Sequence, residues 1–231
     1  MSDYTSRQTR HAFIAKKFSP YLIGKVLNIG GGGKKHLLEY LSPEEYLELD
    51  IEGEPDLKID LDGVYPLPID NNQFDAVICT DVLEHLEHFH RVFFELIRIS
   101  RKYIIISLPN ALTIVPNYLR ESQYQPNNGS LVGEYFGTYS KFYGLPKNYP
   151  SDRHRWFFSF TEAQDFFHYH QSQLGYRILE EFPIGLEGSS VKGKMLRKIV
   201  SPLISERTYK NLFAGVYWNV LEKGIKDEQL R

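Results

Sequence analysis

The stretch Asp152-Arg153-His154-Arg155-Trp156-Phe157-Phe158 gathers groups that do chemistry. His154 offers a base near neutral pH, Arg153 and Arg155 are ligands for an anion, and Trp156 gives a flat stacking surface. The plainer reading is that Trp156, Phe157 and Phe158 anchor this stretch to the core while the charges stay wet. A second cluster is the run Gly30-Gly31-Gly32-Gly33. Successive glycines permit positive φ and close backbone approach to a ligand, and following N–H groups attract negative charge. Asp50 lies about 20 residues beyond the first glycine, the separation at which a carboxylate reaches ribose hydroxyls. Asp60 repeats that placement and could hold an amino group, although a solvated acid is common there.

These residues need elements to position them. Val26-Leu27-Asn28-Ile29 reads as a strand ending on the glycine turn, and Lys34 to Leu41 as a helix. Tyr46 to Asp50 and Leu57 to Asp60 read as the second and third strands, each finishing on an aspartate. Phe74 to Cys79 is a fourth strand, Leu83 to Ile99 a helix with apolar residues every three or four, and Tyr103 to Leu108 a fifth strand. Asn110 to about Phe158 is irregular and reads as a cap over a ligand cleft. Beyond it come a helix from an N-cap at Thr161 to Leu174, a strand from Tyr176 to Phe182, a basic helix from Lys192 to Ile204, and a strand within Ala214 to Leu221. A further helix spans Ser2 to Phe18, capped by Ser2 or Asp3. Strand, glycine turn and helix open a doubly wound α/β sheet.

Composition narrows the classes. With 231 residues and 42% hydrophobic content the chain is long enough for one large domain with a core of its own. One cysteine, Cys79, excludes a disulfide framework and a multi-cysteine zinc site. No apolar run nears the roughly 20 residues that span a bilayer, and the N-terminus lacks a secretory core, so a cytoplasmic location is expected. The net charge of -2 hides two opposed blocks: sixteen acids between Glu39 and Glu95 face only Lys58 and Arg91. An acidic block carrying Asp50, Asp60 and Asp81 suits a cationic ligand better than a polyphosphate. The phosphate-binding glycine loop fails, since Asn28 stands where its first glycine belongs and Lys35 where Ser or Thr belongs. The nicotinamide fingerprint lacks its last glycine, which disfavours an oxidoreductase.

Together, Val26 to Gly32, Leu49-Asp50, Ile59-Asp60-Leu61, and Phe74 to Ile78 running into Asp81-Val82-Leu83-Glu84-His85-Leu86 closely resemble class I S-adenosylmethionine-dependent methyltransferases, especially the type 11 group. The resemblance is good from about Lys25 to Asn110 and loose elsewhere. It implies a Rossmann-like, doubly wound, mostly parallel seven-stranded sheet with an antiparallel last strand, the cap lying after strand five. One methyltransferase domain would then fill 1–231, with an N-terminal helix in 1–24, the cofactor half in 25–110, the cap in 111–160, and the C-terminal sheet and helices in 161–231. Gly30, Gly31 and Gly32 would line the methionine portion, Asp50 would hold the ribose, and Ile51 would pack on adenine. Asp60 and Leu61 would bound the adenine edge, and Asp81 with Leu83 would close the floor. Asn28 departs from the family, which has an acid there, and weakens support for the cofactor's positive charge.

His85 then falls near the transferred methyl group and becomes a second base candidate, with pairing to Glu84 as its ordinary alternative. His85 and His88 share a helix face, but one such pair makes no metal site, and none is expected. The His-Arg-Trp-Phe stretch is similar to methyltransferases of bacterial surface-polysaccharide gene clusters, which implies a nucleotide-linked or lipid-linked sugar or another small acceptor. Methylation on oxygen is the expected reaction, with Tyr135, Tyr139 and Tyr143 as candidate acceptor contacts. A catalytically inactive methyltransferase-like binding domain is the alternative. Lys192, Lys194, Arg197 and Lys198 could touch an anionic membrane, whereas nucleic acid is a weak candidate because no recognition motif appears. The sequence leaves the oligomeric state open.

Overall fold

The computed structural model describes residues 7–121, 124–126, 133–135, 153–186 and 191–224. The side chains of Lys192 and Lys194 lie outside that description, as do Ser2, Asp3, Tyr139, Tyr143 and Asp152 and the side chain of Tyr135. Strands β1 (Lys25–Ile29), β2 (Glu45–Asp50), β3 (Leu57–Lys58), β4 (Phe74–Thr80), β5 (Ser100–Pro109), β8 (Tyr176–Ile184) and β9 (Val216–Lys223) form one sheet in the order β3-β2-β1-β4-β5-β9-β8. The first five pair in parallel, and β9 runs antiparallel to both β5 and β8. This is the Rossmann-like sheet the sequence implies. After β5 come α3 (Ala111–Glu121) and a two-stranded ribbon of β6 (Tyr124–Pro126) and β7 (Gly133–Tyr135), which occupy part of the expected cap.

Alternation along the strands divides the core between two faces. Leu27, Val77, Cys79, Ile104 and Ile106 point to one side, where α2 (Phe89–Ile99) and α4 (Phe160–Leu174) cover them. Val26, Ala76, Ile78, Ile105 and Val220 point to the other, beneath α1 (Arg7–Phe18). Trp218 of β9 is fully buried there, with ring centroids 5.3 Å from both Phe13 and Phe18. Each such large apolar side chain contributes about 1.5–3 kcal/mol of burial.

Several elements differ from the sequence reading. Lys34 to Leu41 forms only a four-residue 3-10 turn, His36–Glu39, because Lys35 takes a left-handed conformation. Leu83 to Ile99 is broken into a 3-10 turn, Leu83–His85, and α2. The cause is visible in the hydrogen bonds. The Glu84 carbonyl, which a continuous helix would give to His88 N–H, accepts from Arg155 and Trp156, and His88 N–H donates to Asp62 instead. Ser159 rather than Thr161 caps α4, in a reciprocal capping box with Glu162. The basic helix α5 is Val191–Val200, continued by a 3-10 turn at Ser201–Leu203, and α6 (Glu206–Phe213) follows where the sequence reading assigned no element.

Candidate active site

The glycine turn leaves β1 at the carboxyl edge of the sheet. Gly30 and Gly32 have φ of 80° and 72°, the left-handed region that glycine occupies without strain. A Cβ on Gly31 would come within 2.5 Å of the Glu48 carboxyl carbon, whereas one on Gly32 would meet nothing within 4 Å. The turn is thus packed underneath at Gly31 and open above Gly32, as a cradle for a ligand requires.

Asp50, at the end of β2, accepts from Gly32 N–H at 2.8 Å and from the amides of Ile51 and Glu52 at 2.7 and 3.0 Å. It fastens the glycine turn, and its carboxylate retains acceptor capacity for a ribose. Ile51 is 56% exposed beside it, an apolar surface suited to a base. Asp60 is exposed and accepts from Asp62 N–H at 2.9 Å. Leu61 and Leu83 are buried in the core, so they can support this side of the cleft from below.

Asn28 is buried, and the acid absent from its position stands on the next strand. Glu48 is the register partner of Asn28 in the parallel β1–β2 pair and is itself buried. Its carboxylate accepts from the Tyr46 hydroxyl at 2.8 Å, the Asn28 amide at 3.4 Å and Lys35 N–H at 3.2 Å. Burial, reinforced by the Glu48 charge, pushes the Tyr46 phenol far up, so it stays a donor. Sequence reasoning missed Glu48. The available signal was a charged residue between Leu47 and Leu49 on a strand level with Asn28.

Asp81 follows β4 with φ of 53°, an unusual backbone conformation for a residue other than glycine. It accepts from the Ser107 hydroxyl at 2.7 Å and pairs with Arg10 of α1. The 3-10 turn beyond it carries Glu84 and His85, and the 153–158 segment docks directly on that turn. Arg155 N–H and Trp156 N–H donate to the Glu84 carbonyl at 2.8 and 3.2 Å, and the Trp156 indole donates to the Leu86 carbonyl at 2.6 Å. This brings together the two histidines that the sequence singled out separately. The rings of His85 and His154 meet edge to face with centroids 4.5 Å apart, and Glu84 Oε1 lies 3.7 Å from His85 Nε2.

Arg155 and Trp156, read from sequence as acceptor ligands, are engaged in holding the segment. The Arg155 guanidinium donates to the His85 carbonyl and lies 3.3 Å from Glu87, and Trp156 packs on Phe89 and His90. Arg153 is partly buried at the start of the same segment. An apolar pocket opens at Trp156 and Phe158, walled also by Phe89, Leu108 and Phe166, with His90 and Glu162 lining it.

Residues 30–105 match the model of a methyltransferase domain. No curated protein matches the chain. Among solved structures, an S-adenosylmethionine-dependent methyltransferase from Archaeoglobus fulgidus is 20% identical, with 94% of this chain and 95% of that one covered and a TM-score of 0.51. One from Mesorhizobium loti is 11% identical over 90% and 95%, at a TM-score of 0.50. The [4+2]-cyclase SpnF is similar in fold too, 10% identical over 94% and 82%, at 0.51. The glycine cradle, the acid ending β2 and the apolar surface at Ile51 fit the parts of one cofactor. Residues 30–105 are thus similar to a methyltransferase domain, and the sheet shares the fold of S-adenosylmethionine-dependent methyltransferases.

Proposed function

We propose that this chain transfers the methyl group of S-adenosylmethionine to an oxygen of a small or glycan-like acceptor. The observation that carries this reading is the meeting of His85 and His154 at the carboxyl edge of β4. S-Adenosylmethionine supplies an electrophilic methyl group. Gly30 to Gly32, Asp50 and Ile51 hold and orient it, and Glu48 beside Asn28 supplies the negative charge that favours its cationic end. His154, 8% exposed and pressed against His85, takes the proton of the acceptor hydroxyl. The pocket walled by Phe89, Trp156 and Phe158 suits the apolar face of a sugar ring or a lipid-linked group. A screen of nucleotide-linked and lipid-linked sugars for S-adenosylhomocysteine release tests this. Cofactor binding without turnover on any acceptor would favour the inactive binding domain.

The lipid-linked class gains support from α5. Met195, Leu196, Ile199 and Leu203 are 54–75% exposed and fall within one arc of a helical projection. Residues 191–204 contain four basic residues and no acid. Arg197 donates to the Gly185 carbonyl just after β8, which places α5 at the carboxyl edge of the sheet, where the cofactor cleft lies. An apolar stripe flanked by positive charge fits the surface of an anionic bilayer. Among the described residues no helix is long and apolar enough to cross a membrane, so the contact proposed is peripheral.

A further inference from the structure

We infer that Glu84, His85 and His154 form a binding site for a divalent first-row transition-metal ion. One ligand atom from each lies within 4.8 Å of the others. Ligands about 2.1 Å from a metal stand roughly 3.4 Å apart in a tetrahedron and about 4.2 Å apart when trans. The 3.7 Å separation of His85 Nε2 from Glu84 Oε1 already falls in that range, and small side-chain rotations bring in the third ligand. The donor set is two imidazoles and one carboxylate, a combination that suits manganese, iron or zinc better than the all-oxygen preference of magnesium or calcium.

The backbone is prepared for this. The Glu84 carbonyl takes both Arg155 N–H and Trp156 N–H, and Arg155 also bonds the His85 carbonyl, so the segments bearing the ligands are locked to each other directly after His154. Neither segment holds a metal alone: Glu84 and His85 are adjacent in sequence, and only docking adds the third ligand. The Glu84 side chain is 1% exposed.

Three protein ligands leave coordination positions open for an acceptor oxygen. One carboxylate and a divalent ion leave a net charge of +1, which one alkoxide neutralises. A bound hydroxyl is acidified in the same sense as zinc-bound water. Its O–H bond breaks and the proton leaves to solvent. The alkoxide oxygen then forms a bond to the methyl carbon as the carbon–sulfur bond breaks, and that electron pair stays on sulfur, giving the methyl ether and neutral S-adenosylhomocysteine. With the ion bound, both imidazoles are ligands, and acceptor activation passes from His154 to the metal. This catalytic consequence rests on the methyl-transfer reading, whereas the site itself does not.

The test is titration of the full metal-stripped chain with Mn²⁺, followed by the loss of the free-ion paramagnetic resonance signal, with Zn²⁺ as competitor. One equivalent should bind, and His85→Asn, His154→Asn and Glu84→Gln should each weaken binding at least tenfold while circular dichroism shows them folded. Absence of saturable binding up to about millimolar Mn²⁺ and Zn²⁺, or undiminished binding in folded variants, overturns the site. Calorimetry with S-adenosylmethionine on the same samples separates the two readings: metal bound without cofactor leaves this site standing and removes methyl transfer. Once an acceptor is found, chelator treatment should abolish turnover and Mn²⁺ should restore it. Full activity of the stripped chain would return the chemistry to His154 as a base.

Discussion

Substituting Glu48 asks whether a charge moved from β1 to β2 still serves the cofactor. In Glu48→Ala the Tyr46 hydroxyl and the Asn28 amide lose their carboxylate partner inside a buried cluster. The Asn28 amide still donates to the Tyr46 oxygen at 3.0 Å, so the stranded group is the Tyr46 hydroxyl, and a loss of about 1–3 kcal/mol in folding stability is expected, read from urea denaturation. Glu48→Gln keeps the volume but removes the charge and turns an amide donor toward other donors, and should cost about 1–3 kcal/mol. Its more telling effect is on S-adenosylmethionine. Replacing a charged acceptor by a neutral one is worth about 1.4 kcal/mol, a tenfold rise in Kd by calorimetry. The exchange Asn28→Asp with Glu48→Gln returns the carboxylate to β1 and supplies an amide to answer it across the same register pair. This double variant should recover most of the stability and affinity. Wild-type affinity in folded Glu48→Gln, or a double variant no better than the single one, would refute the reasoning.

Three other expectations follow from the same contacts. Asp50→Ala removes the acceptor of Gly32 N–H and should raise the cofactor Kd at least tenfold, whereas an unchanged Kd would move the ribose site elsewhere. Burial raises the Glu95 carboxyl, but the Arg98 guanidinium and Leu67 N–H outweigh it and leave the group below its ordinary value. A carboxylate lowered in the folded state stabilises fully above its unfolded pKa of about 4.3 and loses that contribution as pH falls through the folded value. The urea midpoint should therefore be level from about pH 8 to 5 and decline below about 4, with a lower plateau and shallower decline in Glu95→Gln; a wild-type midpoint indifferent to acid would count against this. Combined Met195→Ser, Leu196→Ser and Ile199→Ser should abolish sedimentation with phosphatidylserine vesicles, and equal sedimentation with uncharged phosphatidylcholine vesicles would show that charge has no part.

The parallel half of the sheet was legible because Val26 to Ile29, Phe74 to Cys79 and Tyr103 to Leu108 are apolar runs that only a strand covered on both faces explains. The break after His85 was not legible, since its cause is a segment some 70 residues away that takes the Glu84 and His85 carbonyls. A local apolar period cannot report a remote donor. The cap of α4 was readable: Ser159-Phe160-Thr161-Glu162 has the spacing of a capping box, and Thr161 drew attention only by standing closer to the helix body. His85 and His154 were each visible as side chains able to move a proton. Pairing of His85 with Glu84 was readable too, but the approach of His154 to both required the docking of one segment on the other.

The position of β9 also constrains when the protein can first exist as a sheet. It lies between β5 and β8, and among the described residues β8 has no other strand partner, although β8 leaves the ribosome first. Until Val216–Lys223 emerges, β8 has no ladder and β5 has an open edge, with Trp218 missing from its place against Phe13 and Phe18. Synthesis of the cofactor half therefore does not deliver a finished sheet. Assembly waits on β9, and nascent chains halted before Val216 should remain sensitive to protease across α4 and β8.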